Sequence, residues 1–230
     1  MNYSNSFLIR FRTIARKTGI LRPLVRLYRA TFNKSYEEKF DAEMMSHIQL
    51  GEIVWDVGAN VGFFTQKFAK CVGPKGFVVA FEPSPKTFKL LQENTSGLTN
   101  VNCQNLGLSN AEGQVNFSES LSDGDPTNKI MLDNASNTIK VGVTTGYIYS
   151  RAHSTPNAIK IDVEGFEIEV IAGMSKLLLD SNLKKIFVEV HFLEMANRGF
   201  RNGSTEIIKT IGEAGFRIKW VDSSHFIATR

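Results

Sequence analysis

Four short segments of the chain carry the residues that could do chemistry. The first, Asp56-Val57-Gly58-Ala59-Asn60-Val61-Gly62, places an acid directly before two closely spaced glycines. Glycines let a backbone turn tightly and approach a ligand, and a helix starting after them points its N–H groups at an anionic group. The spacing is not GxGxxG, and the acid before the turn would repel a pyrophosphate, whereas it can pair with an amine. The turn therefore selects a cofactor carrying an amino group over a dinucleotide. The second segment is Glu82-Pro83, 20 residues past Gly62. There a carboxylate can accept hydrogen bonds from both hydroxyls of a ribose, each charge-assisted bond contributing roughly 1.5–3 kcal/mol. The plainer account of the same residues is a solvated strand-end acid followed by a helix-starting proline.

The third and fourth segments are Asp162 and Glu189-Val190-His191. Glu189 and His191 are two apart on one extended run and so point to the same side. An imidazole or a carboxylate can take the proton of an attacking hydroxyl, an effect worth about 10²–10⁴-fold, while alignment of the reactants contributes roughly 7–11 kcal/mol. Two catalytic arrangements compete. Either His191 or Asp162 removes the proton directly, or Asp162 and Glu189 help hold a divalent cation that lowers the hydroxyl pKa. A buried, hydrogen-bonded structural role for all three is the third reading, and the residue types alone do not choose. Glu164, Glu167 and Glu169 open the next helix, where acids favour the macrodipole. Helix stabilisation is the expected task of Glu167 and Glu169, while Glu164 stays close enough to the strand end to be a candidate.

These residues need a frame that gathers strand ends. Ile53-Val54-Trp55-Asp56-Val57 is a short apolar run that meets the glycines and then a helical stretch through Cys71, giving strand, turn, helix. Phe77-Val78-Val79-Ala80-Phe81 ends at Glu82, and Pro85 opens a helix carrying Phe88, Leu90 and Leu91. Residues 101–108 read as a third strand, 115–117 as a short one, and 158–163 as a fourth parallel strand followed by a helix over 166–179. A fifth strand follows at 186–190, and 216–221 with 226–228 make a terminal antiparallel pair around Asp222-Ser223-Ser224-His225. Strands alternating with helices imply an α/β domain with a mostly parallel sheet covered on both faces. Ligands of such a sheet bind outside the carboxyl ends of its strands, which is where all four segments fall. Residues 118–140, rich in Ser, Asp, Asn and Gly, are expected to form a long loop or lid near the binding face, and 192–204 a second loop.

Taken in order, Val54-Trp55-Asp56-Val57-Gly58-Ala59-Asn60-Val61-Gly62-Phe63-Phe64-Thr65, Ala80-Phe81-Glu82-Pro83-Ser84-Pro85, Ile159-Lys160-Ile161-Asp162-Val163-Glu164-Gly165-Phe166-Glu167 and Val188-Glu189-Val190-His191 resemble the successive motifs of the FkbM-type methyltransferase family. The resemblance covers about residues 50–220. It implies a class I methyltransferase (Rossmann-like) fold with a mostly parallel seven-stranded sheet. It also implies S-adenosylmethionine as methyl donor and O-methylation of a hydroxyl on a sugar, a polysaccharide or glycolipid, or a natural product. Carried over by position, Asp56, Gly58, Asn60 and Gly62 form the cofactor turn, Glu82 holds the ribose, and residues 105–108 border the adenine. From its own position, closing the fourth strand beside the expected methyl group, Asp162 forms the candidate acceptor site with Glu189 and His191. The chain departs from the family pattern at Val143-Thr144-Thr145-Gly146-Tyr147, where relatives place a Thr-Leu-Asp and this sequence has no acid.

Two rival functions use the same residues differently. A methyltransferase acting on nitrogen, on RNA for instance, would employ a basic segment for phosphate contacts. Asp162-Val163-Glu164-Gly165 lacks the Asn/Asp-Pro-Pro-aromatic arrangement of many amine methylators. A catalytically silent scaffolding protein would keep the fold without turnover, and the intact Asp56, Gly58, Glu82 and Asp162 argue against it.

The bulk numbers agree with one catalytic domain behind an appendage. The chain has 230 residues, of which 42% are hydrophobic, enough for a sizeable core. Its net charge of +4 is uneven. Residues 1–36 hold Arg10, Arg12, Arg16, Lys17, Arg22, Arg26, Arg29 and Lys34 and no acid, and setting those eight aside leaves 19 basic against 23 acidic residues. Helical spacing at Phe7, Leu8, Phe11, Ile14 and Ala15, then from Pro23 to Phe32, then at Tyr36, Phe40, Met44 and Ile48, predicts a helical N-terminal segment over 1–50 before a catalytic domain over 51–230. That segment is expected to cap the cofactor site, to touch an anionic membrane surface through 1–36, or both; nucleic acid is not an expected partner. No apolar stretch approaches the roughly 18 residues of a membrane span, and no cleavable signal is read. Cys71 and Cys103, with no CxxC, read as reduced, buried thiols of a cytoplasmic protein, peripheral to the inner face of the membrane if the basic segment binds there.

Overall fold

The computed structural model describes residues 34–118, 129–130 and 138–230. The helices expected before residue 33 lie outside the described residues. Two compact units divide the chain, Met1–Ala42 and Glu43–Arg230. Of the first, only the start of helix α1 (Lys34–His47) is described, and the site lies in the second.

The second unit is built on a seven-stranded sheet. In chain order its strands are β1 (Ile53–Val57), β2 (Phe77–Phe81), β3 (Val101–Gln104), β8 (Ala158–Ile161), β9 (Lys185–Glu189), β10 (Arg217–Trp220) and β11 (His225–Thr229). Across the sheet they run β10-β11-β9-β8-β1-β2-β3. β3, β2, β1, β8 and β9 are parallel neighbours, while β11 enters antiparallel between β9 and β10. The Val, Ile and Phe content of the central strands suits burial on both faces, and β8 is buried at every position.

From β1 the chain moves outward one way, through α2 (Phe63–Val72), β2 and α3 (Pro85–Thr95) to β3; from β8 it moves the other way, through α5 (Glu167–Gly173) to β9. Right-handed crossovers in opposite directions put their helices on opposite faces. They also leave a crevice between the carboxyl ends of β1 and β8, the topological switch point of the sheet. Strand periodicity assigns the two faces of β1. Trp55 and Val57 join the core under Ile168 and Ile171 of α5, whereas Asp56 turns to the other side, where Thr65 of α2 meets it.

Between β3 and β8 lies a second sheet that the sequence did not announce. Its strands β4 (Gly107–Leu108), β5 (Gly113–Ser118), β6 (Lys129–Ile130) and β7 (Thr138–Thr144) run in the order β4-β7-β5-β6. The run 101–108, expected as one strand, is thus two, each in a different sheet. The stretch 118–140 is not a single loop, because it contains β6 and the start of β7; 119–128 and 131–137 lie outside the described residues. After β7, Thr145 caps helix α4 (Gly146–Ala152) through its hydroxyl. α4 seats Tyr149 edge-on against Trp55 and Phe81, at ring separations of 5.3 and 4.8 Å.

Three more expectations are corrected. The helix over 166–179 is α5 plus a separate 3₁₀ turn, Leu177–Leu179. The second loop, 192–204, holds helix α6 (Phe192–Asn197) and the start of α7 (Gly203–Glu213). Cys71 and Cys103 are half-buried rather than buried. Among the described residues no helix is long and apolar enough to cross a membrane.

Candidate active site

The glycine turn after β1 is locked from three sides. Gly58 has φ +78, and a Cβ there would stand 1.8 Å from the carbonyl oxygen of Asp162, so only glycine lets the ends of β1 and β8 close on each other. Gly62, at φ +91, would press a Cβ to 2.8 Å from Leu91 of α3. Asn60 between them is left-handed and exposed, with φ 50. The turn is closed by Glu82 at the end of β2, whose Oε2 accepts the Asn60 N–H at 3.0 Å while Oε1 accepts that of Ser84 at 2.9 Å. Burial pushes the Glu82 carboxyl up to about 7, against the pull of those two N–H groups. Beside it the Asn105 amide donates to the carbonyls of Glu82 and Pro83, which fixes the chain after β3 against the same corner.

Asp56 does not face the open end of the turn. It is fully buried, takes the Thr65 hydroxyl on Oδ2 at 2.6 Å, and has the Lys160 ammonium 3.3 Å from Oδ1. The amine expected opposite this acid is therefore supplied by the chain itself. Asp56 and Lys160 are direct cross-strand partners in the β1–β8 register. Two residues on, Asp162 emerges on the same side of β8, its Oδ2 3.2 Å from the same ammonium. Lys160 also donates to the Gly58 carbonyl at 3.1 Å. Burial alone would lower the Lys160 pKa, but Asp162 and Asp56 hold it above the usual lysine range. In return Lys160 and His191 hold Asp162, which burial would raise, below the usual carboxylate range. Sequence reading passed over Lys160, although a lysine between two isoleucines in an apolar strand is a signal in itself, since lysine is almost never buried unpaired.

At the ends of β8 and β9 the remaining candidates converge. His191 is the residue before α6, not part of β9. Its Nε2 lies 3.8 Å from Asp162 Oδ1, 3.5 Å from Glu164 Oε2 and 3.8 Å from Glu189 Oε1. Its Nδ1 is 2.8 Å from Oε1 of Glu167, a fully buried carboxylate that also accepts the Gly165 N–H. Burial would lower the His191 pKa, but Glu167, Asp162 and Glu164 raise it to about 9. Glu167 is thus more than a helix-dipole acid: it is the partner that aims His191. Glu169 keeps a structural task, pairing with Arg198.

Behind Glu189 stands a second pair that sequence reading took for a plain turn. His225 Nε2 is 3.4 Å from Glu189 Oε2, and its Nδ1 is 2.9 Å from Asp222, whose Oδ1 also accepts the N–H groups of Ser224 and His225. Both ring contacts hold the His225 pKa above its ordinary value against the effect of burial. At the departure from the family pattern an acid does stand nearby in space, for Glu112 accepts the Thr144 hydroxyl at 3.3 Å.

A family model described as the methyltransferase FkbM domain matches residues 56–218. Over 149 residues the chain is 34% identical to the hexuronic acid methyltransferase AglP of Haloferax volcanii, an alignment covering 64% of this chain and 59% of that protein. Over 142 residues it is 26% identical to methyltransferase 1 of Beauveria bassiana, covering 52% of this chain and 57% of that one. The alignments thus take in less than two thirds of either relative. Among solved structures, methyltransferase FkbM from Methylobacillus flagellatus matches with a TM-score of 0.51 at 15% identity, over 78% of this chain and 43% of that one. Precorrin-6Y C5,15-methyltransferase from Geobacter metallireducens matches with a TM-score of 0.50 at 13% identity, over 83% and 88%. At such identities the structures speak for the fold, and it is the class I methyltransferase fold.

Proposed function

The chain belongs to the FkbM methyltransferase family, and from that premise we propose that it moves the methyl group of S-adenosylmethionine to a hydroxyl oxygen of a sugar within a glycan. The observation that carries the reading is the meeting, at one switch point, of a glycine turn braced by Glu82 with the acid and imidazole cluster of Asp162, Glu189 and His191. One half suits a nucleoside and the other a hydroxyl that must lose a proton. A carboxylate offers about four lone-pair positions; backbone N–H groups use two on Glu82, which leaves two acceptors for a ribose diol. Gly58, Asn60 and Gly62 would form the wall against the cofactor. Asp56 works from behind through Thr65 and Lys160.

S-adenosylmethionine supplies an electrophilic methyl on a positively charged sulfur. The acceptor hydroxyl forms the new C–O bond with its own electron pair and gives its proton to Asp162; the electron pair of the broken C–S bond stays on sulfur, and S-adenosylhomocysteine leaves. Asp162 is assigned this role because it stands between the turn and the cluster, its carbonyl packed on Gly58 and its Oδ1 directed to His191. A sugar as acceptor is supported by the relative that acts on a hexuronic acid and by two part-exposed rings beside the cluster, Phe192 and Trp220, stacked with 6.2 Å between centroids. For residues 1–50 the proposal retains a basic helical segment ahead of a catalytic domain over 51–230. It would work in the cytoplasm, as a cap or in peripheral contact with an anionic membrane through 1–36.

The test is turnover. S-adenosylhomocysteine release is measured with a panel of free and oligomeric sugars, uronic acids included, for the wild type and Asp162→Asn. The reading expects release with at least one sugar and a loss of at least about 10²-fold in Asp162→Asn, with S-adenosylmethionine affinity within threefold of wild type. Donor binding without release across the panel would overturn the assignment.

A further inference from the structure

The geometry points to a divalent-cation site formed by Asp162, Glu164 and His191, taking Mn²⁺ or Mg²⁺. It deepens the methyltransferase reading and rests on it only for its purpose, since the site can be tested by binding alone. Donor atoms of Asp162, Glu164 and His191 all lie within 4.8 Å of one another, while Glu189 Oε1, 3.8 Å from the ring, stands outside that group.

The separations argue for a shared centre. On one side of the ring, Nδ1 and Glu167 meet at ordinary hydrogen-bond distance, 2.8 Å. On the other side, Nε2 faces three carboxylates and closes on none of them, standing 3.5–3.8 Å away. Two donors bound at about 2.1–2.2 Å to one octahedral cation lie roughly 3.0 Å apart when cis and about 4.3 Å apart when trans. The separations here fall between those limits and are too long for direct hydrogen bonds.

Two of the three groups are also held from behind by their other polar atom, as metal ligands characteristically are. Asp162 turns Oδ2 to Lys160 and Oδ1 to the centre. His191 turns Nδ1 to the buried Glu167 and Nε2 to the centre. The third, Glu164, is delivered by its backbone, which adopts φ 51, a left-handed conformation that a non-glycine residue sustains only where its surroundings impose it.

Two carboxylates with one imidazole and no thiolate favour a hard divalent ion, and the imidazole makes Mn²⁺ the better match of the two. Placed there, a cation would lower the pKa of a bound hydroxyl and so ease the loss of its proton.

The full chain, stripped with chelator and then dialysed free of it, is titrated with Mn²⁺ while free Mn²⁺ is followed by electron paramagnetic resonance. Mg²⁺ is added as competitor. One saturable site per chain is expected, weakened at least tenfold in both His191→Asn and Glu164→Gln. Circular dichroism and S-adenosylmethionine calorimetry on the same samples check the fold and the donor site. Absence of saturable binding up to millimolar Mn²⁺, or binding that His191→Asn and Glu164→Gln leave unchanged in folded protein, overturns the cation site. If the donor still binds in that sample, the methyltransferase reading stands apart from the failure. Tight Mn²⁺ without any donor binding would support the site and overturn the reading.

Discussion

At the ends of β1 and β2, the carboxylates are engaged within the chain. Asp56 has Thr65 and Lys160, and Glu82 has two backbone N–H groups. At the ends of β8 and β9, Asp162, Glu189 and His191 each spend one polar atom on a supporting residue, and the two carboxylates turn the other to the His191 ring. The first region is buried and braced by packing; its chemistry is to present fixed backbone and lone pairs to a nucleoside. The second is half-exposed and holds its groups apart, the arrangement expected where something else must enter between them. Lys160 belongs to both, because its ammonium pairs with Asp56 on one side and Asp162 on the other.

The contrast can be broken most severely at Gly58. A methyl group there would lie 1.8 Å from the Asp162 carbonyl, at φ +78, and Gly58→Ala should cost about 3–5 kcal/mol or prevent folding. Thermal unfolding within a degree or two of wild type would show that the two strand ends are not in contact.

Lys160→Met is next, since it strands two carboxylates, one of them fully buried. The expected loss is about 3–5 kcal/mol in chemical denaturation, and adding Asp56→Asn should recover part of it. If the two changes prove additive, Lys160 does not couple the regions.

Glu82 sharpens the comparison through pH. Its folded carboxyl sits at about 7, and ribose hydroxyls donate better to the charged form. S-adenosylmethionine should therefore bind about tenfold more tightly at pH 8 than at pH 6. The charged neighbours are Lys160, which lowers the Glu82 pKa, and Asp56, which raises it; Lys160 keeps its charge throughout this range. Glu82→Gln should flatten the profile, and a flat wild-type profile would contradict the assignment.

The smallest effect is expected at the acceptor rim. Trp220→Ala removes one of two stacked rings, worth about 0.5–1.5 kcal/mol, and should raise the KM for the sugar a few-fold while leaving kcat and donor affinity alone. A change in donor affinity would mean that the rim belongs to the cofactor region after all.

What could be read from sequence follows the same division. The glycine turn, Glu82, Asp162, Glu189 and His191 were visible because each sits at the end of an apolar run, and the parallel frame was legible from those runs. Lys160 was visible but not weighed. Glu167 and the Asp222–His225 pair were hidden for a different reason: their roles depend on partners 24 and 36 residues away in the chain, Glu167 with His191 and His225 with Glu189, and no local pattern encodes such a meeting. The second sheet was masked by composition, since β7 (Thr138–Thr144) carries Lys140 and Gly142 among its branched residues and follows a polar stretch. Helix α6, six residues long, is too short to display a period.

The account rests on the first region binding S-adenosylmethionine through Glu82. The most direct measurement is calorimetric titration of the wild type and Glu82→Ala with S-adenosylmethionine, with NAD titrated in parallel. Micromolar binding of the former, weakened at least tenfold in a folded Glu82→Ala, and no heat with NAD is the predicted result; no S-adenosylmethionine binding by the folded wild type would contradict the central claim.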